Sequence, residues 1–333
     1  MSLKRCFSYV YALALVCGLV PLIAHAQSAA TAWPTKPITL IVPVGPGGNI
    51  DVTARLVGQK LSERLGQTIV VDNVAGVGGV LGVNRTVRAA PDGYTVLIGM
   101  DGPISVAQLI NPAVKYDAER DLIPVGLVTI APVTLLARPG FPAKTMDEMI
   151  ALARANPGKL TYATSGVGTV LHLVLELVQQ QAGIELVHVP YNRGGSQIIN
   201  DVMGDIVDMG TLVSTTATPM ILHGDIRALG VSSKERLQAL PDVPAFSEAK
   251  ALPGYDLNTW TGFFVPAGTP DAIVQKLNTE LNAVLNLPDV RQRLLDVGAT
   301  PGGQTTPTSF AAFLQQEKAT YTRIVERANI KLE

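Results

Sequence analysis

The chain has 333 residues, 47% of them hydrophobic, with 26 basic and 27 acidic side chains. That composition supplies a substantial core and enough length for two ordinary lobes or one large domain, which excludes a disordered protein. Lysine and arginine gather into no patch or stripe, which excludes nucleic acid as a partner.

The first segment to set aside is 1–26. Lys4 and Arg5 give a positive start, an apolar stretch runs from Val10 to Ile23, and Ala24-His25-Ala26 puts small residues where a signal peptidase needs them, with cleavage expected before Gln27. No later run approaches the roughly 18 uninterrupted apolar residues of a membrane helix, so an exported, soluble chain is expected. Both cysteines, Cys6 and Cys17, lie in this segment. The remainder then has no disulfide, thiolate metal site or cysteine nucleophile. It keeps 24 basic against 27 acidic residues, a net charge of −3, since Lys4 and Arg5 are removed and no acid is.

After a short leader, "ITLIVPV" (38–44) has the β-branched composition of a strand. A glycine loop follows, then an amphipathic helix with Val52, Leu56, Leu61 and Leu65 on one side. "TIVVDNV" (68–74) predicts a second strand, "AGVGG" a loop, "VLGVNRTVRAA" a helix and "YTVLIGM" (94–100) a third strand. Short apolar strands alternating with helices predict a parallel sheet covered on both faces. The pattern restarts near residue 123. "VGLVTIAPVTLLAR" predicts one long strand or two, and Thr145-Met-Asp-Glu148 has the spacing of a capping box opening a helix that stops at "NPGK". "LTYAT", "ELVHVPY" and "IVDMGTLV" predict further strands, with "VLHLVLELVQQQ" and "QIINDVMG" as helices between them. "DIRALGVSS" (225–233) leads away, "PDVPAFSEAKALPGYD" is a proline-punctuated loop, and "NTWTGFFVPAGTP" precedes three helices, two with Pro270 and Pro307 in the first turn. The expected architecture is α/β with two lobes: lobe I from 33–128 and 232–333, lobe II from 129–231, and crossovers near 123–136 and 225–233.

Strand, glycine loop and helix start make an anion site. Glycine admits close backbone approach, the first helix amides lack internal partners, and the helix dipole favours negative charge. "GPGGNI" lacks the third glycine of a dinucleotide loop, although Asp72 stands about 20 residues on, where a ribose-binding acid belongs. No G-x-x-x-x-G-K-[ST] loop occurs, and no cofactor is expected. A second loop of the same kind, "ATSGVGTVLHL" (163–173), offers the hydroxyls of Ser165 and Thr169 and the glycines Gly166 and Gly168. Two such loops on facing lobes suit a small acid held by neutral donors.

The run "WPTKPITLIVPVGPGGNIDVTARLVGQKLSERLGQTIVVDN", followed by "GVGG", "RAAPDGYTVLIG", "HVPYNRGG", "LPDVPAFSEA" and "GYDLNTWTGFFVPAGTP", resembles the Bug/TctC receptors, extracytoplasmic solute-binding proteins of tripartite tricarboxylate transporters. The resemblance covers essentially all of the chain beyond the signal peptide. It implies a two-lobed periplasmic-binding-protein fold of type II, each lobe a mostly parallel sheet flanked by helices with the ligand cleft between them. It also implies a periplasmic monomer that captures a small carboxylate (dicarboxylate, aromatic acid, amino acid or tricarboxylate) and delivers it to membrane permease subunits. Carried onto this chain, the ligand loops give Val44, Gly45, Gly47, Gly48 and Asn49, and Thr164, Ser165, Gly166, Gly168, Thr169 and His172. The family's aromatic and second proline are here Val44 and Gly45, and its "G-G-G-T-D" is "G-G-N-I-D". The ligand therefore does not follow from better-known relatives.

Other candidates carry a blander reading beside the functional one. Asp51 in the helix's first turn stabilises the dipole by roughly 0.3–1 kcal/mol or touches ligand. His172 packs in the core or lines the site. Arg193 offers a charge-assisted carboxylate contact or is a solvated loop residue. Tyr191 reaches the cleft or caps a strand. Thr211, Val213 and Ser214, with Met100 and Asp101, follow strand ends, where parallel sheets present ligand contacts, while Asp208 is read as structural. His172, His188 and His223 have no metal-ligand spacing, so no metal is expected. There is no G-x-S-x-G elbow, and no enzyme is expected. The alternatives kept open are a ligand sensor for a signalling partner and an exported carboxylate-ester hydrolase.

Overall fold

The computed structural model describes residues 33–191 and 195–332. The expected signal peptide therefore lies outside the described residues. Strands β1 (Ile38–Val42), β2 (Ile69–Asn73) and β3 (Thr95–Met100) alternate with helices α1 (Asn49–Leu65) and α2 (Val80–Val87). β1 pairs in parallel with both β2 and β3. Its Ile38, Leu40, Ile41 and Val42 are all buried, as a strand covered on both faces requires. In α1 the buried stripe is Ile50, Ala54, Val57 and Leu61. The sequence reading placed Val52 on that side, but it is exposed; the stripe lies one step round the helix, and Gly66 ends it in the left-handed conformation.

Short helices α3 (Ala107–Ile110) and α4 (Ala118–Asp121) lead into β4 (Leu122–Ala137), which is one strand, not two. Beyond it come α5 (Met146–Ala155), β5 (Thr161–Thr164), α6 (Val170–Ala182), β6 (Val187–Pro190), α7 (Gly195–Met203), β7 (Met209–Val213), α8 (Ser214–His223) and β8 (Arg227–Val231). The chain ends with β9 (Asn258–Pro266), α9 (Asp271–Leu285), α10 (Pro288–Asp296), β10 (Thr300–Pro301) and α11 (Pro307–Arg327). Thr145 caps α5 by accepting from Glu148 N, whereas the Glu148 carboxylate reaches back to Lys144 N, one residue short of a full capping box. Pro307 occupies the first turn of α11, but Pro270 is the residue before α9.

The strand order is β2-β1-β3-β9-β4-β7-β5-β6, with β8 and β10 also on β4. β4 changes partners half-way. Residues 122–132 pair antiparallel with β9, and Val133–Ala137 with β7 and β8. One core cluster forms around Leu40, Val57, Leu61, Val96, Phe263 and Leu281, another around Leu135, Met149, Tyr162, Leu173, Val178 and Met209. The C-terminal helix serves both halves of the sheet. Phe310 packs with Trp260 and Phe264, while Tyr321, Ile324 and Val325 join the Leu173 cluster. The range 232–333 is therefore not packed on the first half alone. Among the described residues no helix is long and apolar enough to cross a membrane.

Candidate functional site

Strand direction decides which loops meet. β3 is antiparallel to β9 and β9 to β4, so β1, β2 and β3 run with β4; β7 is antiparallel to β4, so β5, β6 and β7 run against it. The carboxyl ends of the two parallel sets therefore point toward each other. Through Thr261, Met100 at the end of β3 is level with Thr129 of β4, while Val213 at the end of β7 is level with Val133. Four positions of β4 separate them, roughly 13 Å at the rise of an extended chain. Loops after parallel strands are the usual ligand positions in such sheets, and here two sets share one gap.

The first loop, 43–48, follows β1. Gly45, Gly47 and Gly48 are exposed, and Val44 and Asn49 half-buried. No side chain caps α1 at Gly48, and the first helical bond runs from Val52 N to Gly48 O at 3.0 Å. The preceding amides of the helix start lack helical partners and can meet an anion. Asp51 holds this loop. Its carboxylate accepts from Gly47 N at 2.9 Å, Asn73 Nδ2 at 2.9 Å and Arg55 Nε at 3.0 Å, and Asn73 Nδ2 also donates to Val44 O. Burial works to raise its pKa, but the bonds from Arg55, Gly47 and Asn73 win and hold it at about 2.

The second loop follows β5. Thr164 Oγ1 accepts from Gly166 N at 3.2 Å, Thr169 Oγ1 donates to Gly166 O at 2.9 Å, and Gly168 N donates to His172 Nδ1 at 3.1 Å. No side chain caps α6 at Thr169. Ser165 and Thr169 are half-buried, Thr164, Gly166 and Gly168 buried. A third helix start, α8, follows β7 directly with Val213 as its uncapped first flank.

Several candidate contact residues are hydrogen-bonded within the fold. Asp51 is 3% exposed and His172 5%; the His172 ring bonds Gly168 N and faces Glu176 Oε1 at 3.3 Å. Thr211 donates to Ala163 O and Leu171 O, Ser214 to Gly298 O at 2.7 Å, and Tyr191 to Asp201 Oδ2 at 2.5 Å. Asp101 accepts from Gly102 N and Trp260 N. Asp208, read as structural, bonds Thr161 and Arg138. Asp72, the dinucleotide candidate, pairs with Arg85 at 2.7 Å. Arg193 lies outside the described residues. Met100 is half-buried at its strand end. Arg55, Asn73 and His188 were missed; only the β1–β2 register, which places Val42 beside Asn73, brings Asn73 to the first loop. Among the described residues no three metal-ligating side chains gather.

Burial, only partly offset by its two backbone bonds, pushes the Asp101 carboxyl up to about 7. The folded value lies above the unfolded one, so its contribution to stability is complete below about pH 4 and is lost as pH rises through about 7. Unfolding midpoints are expected to fall between about pH 5 and pH 8, and Asp101→Asn to flatten that slope. An unchanged slope in the variant would assign it to another group.

The family profile described as "Tripartite tricarboxylate transporter family receptor" matches residues 53–330. The chain belongs to that family. A relative from Pseudomonas sp. (strain P51), described as the UPF0065 protein in the tcbD-tcbE intergenic region, is 39% identical over 295 residues, 88% of this chain and 87% of the relative. Two solved structures of Rhodopseudomonas palustris proteins share the receptor fold. Rpa4515 with adipate has a TM-score of 0.82 at 32% identity, covering 90% of this chain and 99% of that one. MatC with bound malate has a TM-score of 0.77 at 34% identity, covering 88% and 100%. The two-lobed periplasmic-binding-protein architecture is thus the fold of this receptor. Its family consists of solute-binding receptors for transport.

Proposed function

We propose that this receptor captures a short aliphatic dicarboxylate between loops 43–49 and 164–169 and hands it to the membrane permease subunits of a tripartite tricarboxylate transporter. The observation that carries the reading is the opposition of two strand sets, each bearing an uncapped helix start, whose facing ends at β3 and β7 lie roughly 13 Å apart along β4. Each is an anion site without lysine or arginine, so a molecule with an acid at either end satisfies both through amides and hydroxyls. The adipate and malate held by the two R. palustris relatives have that chemistry. The exposed glycines of the first loop receive the acid first. The half carrying β5 to β8, residues 129–231, then closes on it, adds the hydroxyls of Ser165 and Thr169, and excludes water, and the closed form is what the permease reads. Val44 and Asn49 set the width and polarity of the first loop. The protein works in the periplasm as a monomer after cleavage before Gln27, without cofactor or catalysis.

A thermal-unfolding screen against malate, adipate, citrate, benzoate, glutamate and the neutral dimethyl adipate tests this. A ligand at about 100 times its Kd adds about 2.7 kcal/mol to stability. Malate or adipate is expected to raise the midpoint and dimethyl adipate to leave it unchanged. A shift produced by the ester alone would refute carboxylate capture. Recovery of the acid unchanged after incubation separates a receptor from an enzyme.

A further inference from the structure

The second loop rests on a stack of imidazoles that the capture step does not itself use. His172 on α6 and His188 on β6 stack with ring centroids 3.9 Å apart and planes 11° apart, and Tyr162 of β5 stacks on His188 at 5.0 Å. His172 Nδ1 accepts from Gly168 N, so that nitrogen carries no proton, and Nε2–H faces the Glu176 carboxylate. Glu176 Oε1 also accepts from Tyr162 Oη at 2.7 Å and Gln179 Nε2 at 2.8 Å. His188 Nε2 shares a 2.7 Å hydrogen bond with Thr164 Oγ1, the oxygen that accepts from Gly166 N. Both glycine amides of the loop therefore lead to this histidine pair.

We propose that His172, backed by His188, is the positioning residue that sets the second ligand loop, and that its protonation releases the loop and makes ligand capture acid-labile. This rests on the reading that loop 164–169 grips a carboxylate. A proton on Nδ1 would face the Gly168 N–H donor to donor and leave a buried amide without an acceptor. Gly168 has little freedom to turn away. Its φ is +74°, and Ile110 Cδ1 fills the space where a side chain would start. The loop backbone has to move instead.

The titratable groups facing the ring are Glu176 on the same helix, His188 from β6 and Tyr162 from β5. Burial raises the Glu176 carboxyl, but bonds from His172 and Tyr162 outweigh it and hold it below its ordinary value, so an imidazolium at His172 has a counter-ion. His188 is held neutral: burial first, then charge on His172, pushes it down to about 4. The device therefore acts through His172.

The test measures malate and adipate binding by calorimetry at about pH 8 and about pH 5, for the wild type, His172→Asn and His172→Phe. Wild-type affinity is expected to fall about tenfold more on acidification than that of His172→Asn, which keeps every other titration of the ligand and the protein, Asp101 included. His172→Phe is expected to bind about tenfold more weakly already at the higher pH, and His172→Asn, whose Oδ1 reaches the place of Nδ1, to restore most of that loss. Imidazole nitrogen NMR of the ligand-free protein is expected to show His172 as the Nε2–H tautomer. An Nδ1–H tautomer, wild-type binding by His172→Phe, or an undiminished pH effect in His172→Asn overturns the proposal. If neither acid binds the wild type at either pH, capture has failed. The tautomer, together with hydrogen exchange over 165–172 in the two variants, then still decides whether His172 positions the loop: protection lost in His172→Phe and kept in His172→Asn supports it, and equal protection overturns it.

Discussion

Replacing Asp51 by alanine is expected to cost about 2–3 kcal/mol of stability and to abolish ligand capture. The carboxylate sits under the first loop with bonds to Gly47 N, Asn73 Nδ2 and the Arg55 guanidinium, and it is nearly inaccessible to water. Alanine strands these donors together. Arg55 is half-exposed and rehydrates readily, which keeps the loss near the lower end for a broken buried pair. Asn73 retains Val44 O but loses the partner that fixes its orientation. Gly47 N loses its only anchor to α1, so the loop keeps its composition and loses its shape. Acid dependence separates this account from a generic loss of packing. The folded Asp51 is held at about 2, below its unfolded value of 3.8. Its contribution is therefore complete above about pH 4 and disappears as pH falls through about 2. After discounting for solvent around Arg55, that loss is about 1 kcal/mol, and Asp51→Ala should not show it. Urea unfolding at about pH 7 and about pH 2.5 reads both effects. Equal acid slopes in the two proteins would remove Asp51 from the loop's support.

Local chemistry was legible in the sequence; contacts across the fold were not. Alternating apolar runs and glycine loops announced β1, α1, β5 and α6, because each depends on neighbours within a few residues. The sequence leaves β4 as one long strand or two, and Pro132 lies inside that run. It occupies the last β4–β9 pair, where the ladder changes partner and a missing N–H matters least. Helix α8 escaped notice because Pro219 lies inside it and its start, "STTAT", has the composition of a loop. Candidate site residues were found by their nearness to loops, and that criterion cannot separate a side chain presented to a ligand from one that holds the loop. Asp51 and His172 are near in sequence and hold their loops through hydrogen bonds. Asn73 does the same from a neighbouring strand, and its role follows from register alone.

The clearest separation of loop shape from loop packing comes from two glycines with similar backbones and different surroundings. Gly47 has φ +85° and nothing within 4 Å of where a Cβ would stand, whereas Gly168 has φ +74° and Ile110 Cδ1 in that place. Alanine at Gly47 meets backbone strain only, about 1 kcal/mol. Alanine at Gly168 meets the same strain and an overlap with a buried side chain, and about 3 kcal/mol is expected together with loss of acid binding. Shortening the obstacle should then relieve the excess: Ile110→Ala in the Gly168→Ala background is expected to recover about 1–2 kcal/mol relative to additivity. Urea unfolding of the four proteins of this cycle measures the coupling. An additive result would mean that Ile110 does not confine Gly168. The movement forced by a proton on His172 would then be taken up at Gly168 itself, and the amides at the start of α6 would keep their places.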